Sequence, residues 1–374
     1  MKKGVPKDRT FQKINFRVKF DMTNIIIRHI KKSTMIYSHM KLSQTLFVSF
    51  LCMLGSFIMS ESKPLGLSST VGDAISLKLR ENGTLREAIY FGSISDGNMK
   101  KIFFDENIFV NFQSLSSKGD RIAIKGSYFD LNSAVYQKHK KAPQVLLVID
   151  TVGNVLNRLD LELIRGYSWS PAGDKIVFIE GKRSDKDDFW RPQYGKAVWI
   201  LDTVAGTKNV LCRADSNQNF QDVTWEKFDG NIYVEMMVNL EYGTHHGIFK
   251  YDLAKMSFVP TPYKSLDFSP DGKYYYYSDD SPVHIIYSRE TNEAVTFGQD
   301  SNFQLLDWFV DEKNTYTVRL APGGFWIVNL DTGSAKLVPK PEDNLRSPFP
   351  IGISNGKPMW IKSNENGSLQ VFTK

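Results

Sequence analysis

Cysteine is almost absent from this 374-residue chain, which has only Cys52 and Cys212. Cys52 lies in an apolar stretch near the start, so Cys212 is alone in the body and no intrachain disulfide can form there. Stability must come from packing, and 41% hydrophobic residues over this length permit a large core. A lone thiol of this kind is expected as buried filler rather than as a nucleophile. A phosphate loop, a CxxC pair and an HExxH helix are all missing, which excludes the chemistry each would carry. Gly166-Tyr167-Ser168-Trp169-Ser170 departs from a nucleophile elbow at its fifth residue, and no helical pattern follows it. Helical periodicity of useful length is lacking after residue 60, which excludes bundles and α/β layers.

Long hydrophobic runs are also lacking. The apolar run Leu46–Met59 has 14 residues, short of the roughly 20 that span a bilayer. It follows the charged start Met40-Lys41 and ends in Ser60-Glu61-Ser62, the pattern of a secretory signal peptide over 40–62, with a membrane anchor as the alternative. Residues 1–39 form a basic leader that reads as an over-extended gene start. The first 60 residues hold eleven Lys/Arg against two Asp, a net +9, and the remaining residues carry −3. The formal charge of +6 therefore belongs to the leader, and a nucleic-acid partner is not expected for the body. An extracytoplasmic product, periplasmic or secreted, is expected.

What the body does contain is a recurring hairpin. Phe268-Ser269-Pro270-Asp271-Gly272-Lys273 runs into the β-rich stretch Tyr274–Tyr277, and Trp169-Ser170-Pro171-Ala172-Gly173-Asp174-Lys175 runs into Ile176–Ile179. Pro fixes φ at the turn, and Gly and Asp tolerate positive φ. Degenerate copies place bulky anchors at Leu115, Trp169, Trp225, Phe268, Trp308 and Ile353, spaced 40 to 56 residues apart. A second apolar strand ending in an acidic turn follows most of them, as in Leu147–Gly153 and Trp199–Thr203. Two hairpins per repeat make a four-stranded unit of propeller-blade size, so an all-β propeller over 70–374 is expected. Six blades are favoured, with strands in 74–104 completing the last one; seven is the alternative.

Those two aromatic-Ser-Pro hairpins resemble the blade signature of TolB-like propellers and the similar signature of the non-catalytic propeller of the prolyl oligopeptidase family. The resemblance implies that the hairpins form inner strands and that Pro171, Gly173, Pro270, Asp271 and Gly272 are turn residues. It also implies a scaffold role in the cell envelope. Function is then expected at the other face, where three strand-2-to-3 connections are long: Tyr128–Pro143, Gly181–Lys196 and Glu235–Gly247. The second holds Arg183, Asp187, Asp188, Phe189, Trp190, Arg191 and Tyr194, the aromatic-plus-arginine mixture that binding hot spots favour. Asp185, Asp187 and Asp188 lack the glycine and distal glutamate of an EF-hand loop, so no metal or other cofactor is expected. His245 and His246 adjoin on a strand and should face opposite ways, a poor metal pair. The expected function is a non-catalytic scaffold for a protein, peptide or envelope partner. The alternative is a channel-centred lyase or hydrolase using the inner-strand carboxylates Asp222, Asp267 and Asp307.

Overall fold

The computed structural model describes residues 68–81, 86–128, 143–182, 194–240, 243–263, 266–278, 284–295, 305–311, 313–321, 323–341, 345, 350–363 and 368–373. The leader and the segment 40–62 lie outside them. Among the described residues there is no helix, and the strands form successive antiparallel groups. The first group holds β1–β4 at Ser68–Val71, Ala74–Arg80, Glu87–Ser93 and Asn98–Phe103. The second holds β5–β8 at Ile108–Leu115, Arg121–Tyr128, Gln144–Asp150 and Val155–Leu161. Next come β9–β12 at Leu163–Trp169, Lys175–Lys182, Tyr194–Asp202 and Thr207–Arg213, then β13–β16 at Gln218–Trp225, Ile232–Leu240, Gly243–Asp252 and Ser257–Pro260. The fifth group opens on a Phe268–Tyr275 bridge and continues as β17–β19 at Tyr274–Ser278, His284–Ser288 and Ala294–Val295. The sixth holds β20–β23 at Leu305–Val310, Thr315–Ala321, Gly324–Asn329 and Ala335–Pro339, and the last holds β24–β26 at Gly352–Ser354, Lys357–Ser363 and Leu369–Thr373.

The hairpin turns explain why the repeat folds locally. Ser116, Ser170 and Ser269 each accept, on the side-chain oxygen, the N–H five residues on: Arg121 at 3.3 Å, Lys175 at 3.1 Å and Tyr274 at 3.0 Å. Gly173 and Gly272 sit at φ of 71° and 75°, which side chains rarely adopt. Pro171, Gly173, Pro270, Asp271 and Gly272 are therefore turn residues. Leu115, Trp169, Trp225 and Phe268 stand immediately before their turns. In the sixth group that place belongs to Val310, because the turn starts at Asp311, whose N–H bonds Asn314 O. The anchor thus lies two residues beyond Trp308.

Between groups, faces of mostly β-branched and leucine side chains interlock. Ile122, Ile124, Val145 and Ile149 are fully buried in one cluster, and Ile176, Phe178, Leu146 and Val148 in the next. Each such side chain contributes about 1.5–3 kcal/mol by burial. First strands of neighbouring groups pack on one another, β1 on β5 and β9 on β13, while β8, β12 and β16 expose apolar side chains such as Leu156, Val210 and Val259. The first strands are the inner ones. At the closure, β26 pairs with β4 through Leu369–Met99 and Gln370–Asn98, so the first and last groups share a seven-stranded sheet. The N-terminal strands form a four-stranded meander of their own, and its outer strand β4 joins the last sheet through β26.

Candidate functional site

Because alternate strands run antiparallel, the strand-2-to-3 connections and the links between groups open at the same end. Three hydrogen bonds show this directly. Ala214 N–H donates to Lys196 O at 2.8 Å, Asn239 N–H to Asn217 O at 2.8 Å and Thr261 N–H to Ile248 O at 3.1 Å. We call this end the connection face. Of the expected binding residues, Arg183, Asp187, Asp188, Phe189, Trp190 and Arg191 lie outside the described residues. Tyr194 opens β11 and pairs with Lys182 of β10, so both strands run to the edge of that segment.

Glu235–Gly247 differs from its expectation as a loop. It is a ladder: Met236 pairs with Gly247, Met237 with His246, Val238 with His245 and Asn239 with Thr244. Val234 and Met236 belong to the core beside the fourth group and the half-buried Val238 packs against it, so the period-2 apolar pattern simply continues outward. His245 and His246 do face opposite ways. His245 meets the Phe249 ring edge-on, and His246 Nε2 lies 2.6 Å from Glu235 Oε1. That hydrogen bond raises the His246 imidazole above its ordinary range, against partial burial.

On the axial side, the inner strands carry a repeated irregularity. A β-bulge falls between Val110 and Phe112 on β5, between Phe220 and Asp222 on β13, and between Leu305 and Asp307 on β20. β9 departs from regular pairing between Ile164 and Tyr167. Bulges turn main-chain groups out of the ladder, and cations take up the freed carbonyls. Lys78 Nζ donates to Asn111 O at 2.9 Å, Lys125 Nζ to Arg165 O at 2.8 Å and Arg165 Nε to Gln221 O at 3.1 Å. Burial lowers the Lys78 ammonium below its usual range. These cation-to-bulge contacts were not foreseen from the sequence, because a bulge leaves no composition signal of its own.

Asp222 and Asp307 follow equivalent bulges and make the same local bond. Val223 N–H donates to Asp222 Oδ1 and Trp308 N–H to Asp307 Oδ1, both at 2.8 Å. The Asp222 carboxyl crosses to the preceding group, where a Cβ on Gly166 would lie 1.8 Å from Oδ1. Asp267 occupies a different level, directly before Phe268, so the three do not form one crown. It is nonetheless close enough to Asp307 to act on it. Burial pushes the Asp307 carboxyl up to about 8, the Trp308 N–H opposes this, and the charge of Asp267 adds to it.

No protein-family model matches the sequence, and no curated protein sequence matches it. Solved structures do match. The β-propeller domain of the Trilobed protease from Pyrococcus furiosus superposes with a TM-score of 0.50 at 15% identity, covering 82% of this chain and 91% of that one. The fold is a β-propeller. A prolyl endopeptidase gives a TM-score of 0.51 at 12% identity over 82% of this chain and 46% of its own. The acylaminoacyl peptidase of Pyrococcus horikoshii gives 0.51 at 14% identity over 83% and 51%. The propeller thus spans about half the length of these two peptidases. At such identities the likeness concerns the fold alone.

Proposed function

We infer that this is an exported, non-catalytic propeller that binds a protein or peptide partner through its connection face. The observation that carries the reading is the β14–β15 hairpin. It projects on that face beyond β16, directly beside the chain segment that links β12 to β13. Long connections in compact domains serve recognition more often than architecture, and the segment between Lys182 and Tyr194 supplies aromatic and arginine side chains. The signal-like segment 40–62 supports an extracytoplasmic location. The test replaces residues 183–193 with Asn-Gly, closing β10 onto β11 at the Lys182–Tyr194 pair. The exported protein should lose its co-purifying partner while its urea midpoint stays unchanged. Retention of the same partner at the same yield would overturn the reading.

The Asp267–Asp307 pair favours a second reading, chemistry at the axial channel with Asp307 as a proton-holding acid. Its protonation state has a measurable signature. An unfolded aspartate releases its proton near 3.8, whereas folded Asp307 keeps it to about 8. The folded state therefore binds the extra proton between these values, so stability is full below the lower one and falls as pH rises through the higher one. Asp307→Asn retains an oxygen for the Trp308 N–H and should flatten this decline, read as urea midpoint against pH. Unchanged pH dependence in the variant would show that Asp307 ionises normally and remove the second reading.

A further inference from the structure

β15 is paired with β14 along its whole inner side, from Gly243 opposite Leu240 to Tyr251 opposite Ile232. On its outer side β16 covers only Phe249–Asp252, and Thr261 takes up Ile248 O through its N–H at 3.1 Å and its hydroxyl at 3.0 Å. Among the described residues, no strand pairs with the outer edge of Gly243–Gly247. Main-chain groups alternate in direction along a strand, and Ile248 O points outward. The N–H and C=O of Thr244 and His246 therefore point outward too.

Open strand edges invite pairing, and proteins blunt them with charge, proline or bulges. The outer strands of five groups, β4, β8, β12, β16 and β23, are blunted in this way. β4 carries Lys100 and Lys101, β8 carries Arg158 and Asp160, and β12 carries Lys208 and Arg213. β16 ends in Pro260, and β23 carries Lys336 and ends in Pro339. Gly243-Thr244-His245-His246-Gly247 has no lysine, arginine, carboxylate or proline, and its register with β14 is unbroken. Thr244, His245 and His246 are all exposed. Glu235 ties the His246 imidazole to the hairpin's own face.

We propose that the outer edge of β15 from Gly243 to Gly247 receives an extended segment of a partner polypeptide by strand addition. This rests on the reading that the connection face binds a protein, and it names how. The outward groups of Thr244 and His246 recur at the two-residue repeat of a strand, about 6.8 Å, so an extended backbone satisfies them in turn. Recognition falls on main chain rather than on side chains, so the segment's sequence matters little. A second copy of this chain is the poorer occupant. Two such edges side by side would set the histidine pairs of both chains together, with His246 holding its proton above the ordinary range.

The experiment follows amide hydrogen exchange by NMR in the full propeller, with acetyl-Thr-Val-Thr-Val-Thr-amide as probe. Thr244 and His246 amides should exchange freely in the free protein and slow at least tenfold at saturating probe. The same peptide N-methylated at alternate residues should have no effect. His246→Pro, which removes one outward N–H, should abolish the protection, and His246→Ala should retain it; Thr244→Pro serves as a second variant should the first fail to fold. Amides already protected in the free protein, or unmoved by the probe, would overturn strand addition. So would a dimer in sedimentation that His246→Pro returns to monomer. If the partner lost on replacing 183–193 leaves both amides unmoved, the connection-face reading stands and strand addition alone falls.

Discussion

Replacing Arg289 with alanine should lower stability by about 3–5 kcal/mol, the scale for stranding a buried charge without its partner. Arg289 follows β18, and its side chain is only 5% exposed. Nη1 lies 2.6 Å from Glu226 Oε2, whose side chain is 3% exposed, and 3.2 Å from Gly272 O. Nη2 reaches Asp229 Oδ2 at 3.0 Å and the Tyr263 hydroxyl at 3.3 Å. The guanidinium also lies over the rings of Phe268 and Tyr263, with centroids at 4.9 and 5.1 Å. Burial opposes its charge, but the bonds with Tyr263 and Glu226 outweigh this and hold it firmly protonated. The cage ties the fifth group to the β13–β14 turn of the fourth. Arg289→Lys should lose much of the same stability, since one ammonium cannot match the planar fork. Arg289→Ala combined with Glu226→Gln should recover part of it, because the stranded charge is then gone. Urea unfolding of all three variants checks this, and a loss below about 1 kcal/mol for Arg289→Ala would place the pair among exposed ones.

That cage also marks where the sequence stops being informative. The Ser-Pro-Gly turns were legible because every determinant lies within six residues. The proline sets φ, the serine oxygen takes the N–H five residues on, and glycine supplies positive φ. Glu226 and Arg289 are 63 residues apart, and nothing local announces that they meet. The β14–β15 extension was legible in its Val234, Met236, Val238 alternation, yet the polar tip outweighed that pattern. Trp308 drew the anchor position to itself because it is the bulkiest residue there. The turn after β20 starts at Asp311, so Val310 takes the anchor's place, and Asp307, following the same bulge, matches Asp222. The candidate carboxylates were thus found by type, while their levels and partners required the bulges to be seen.

Gly195→Ala should be the most disruptive single-methyl addition on the connection face. Gly195 is the second residue of β11 and forms the one bridge between β11 and β13, opposite Phe220. A Cβ there would stand 2.0 Å from Phe220 O and 2.9 Å from Ile179 Cγ2, distances that backbone cannot absorb without moving. Its N–H donates to Asn219 Oδ1 at 2.8 Å, so the displacement also strips a buried side chain of its partner. Phe220 is fully buried among Val177, Ile179 and Val198. The third and fourth groups must separate locally or the core must repack, at about 1–3 kcal/mol for overpacking plus about 1–3 for the unsatisfied amide. Gly230→Ala is the control. Its φ is 69° but no atom lies within 4 Å of the added Cβ, so only the left-handed backbone penalty of roughly 1–2 kcal/mol applies. Gly195→Ala should therefore lose clearly more stability in urea than Gly230→Ala, and amide exchange at Asn219 and Phe220 should rise first. Equal losses would mean that β11 and β13 can part freely, and the bridge would then have no role in holding the start of β11 against β13.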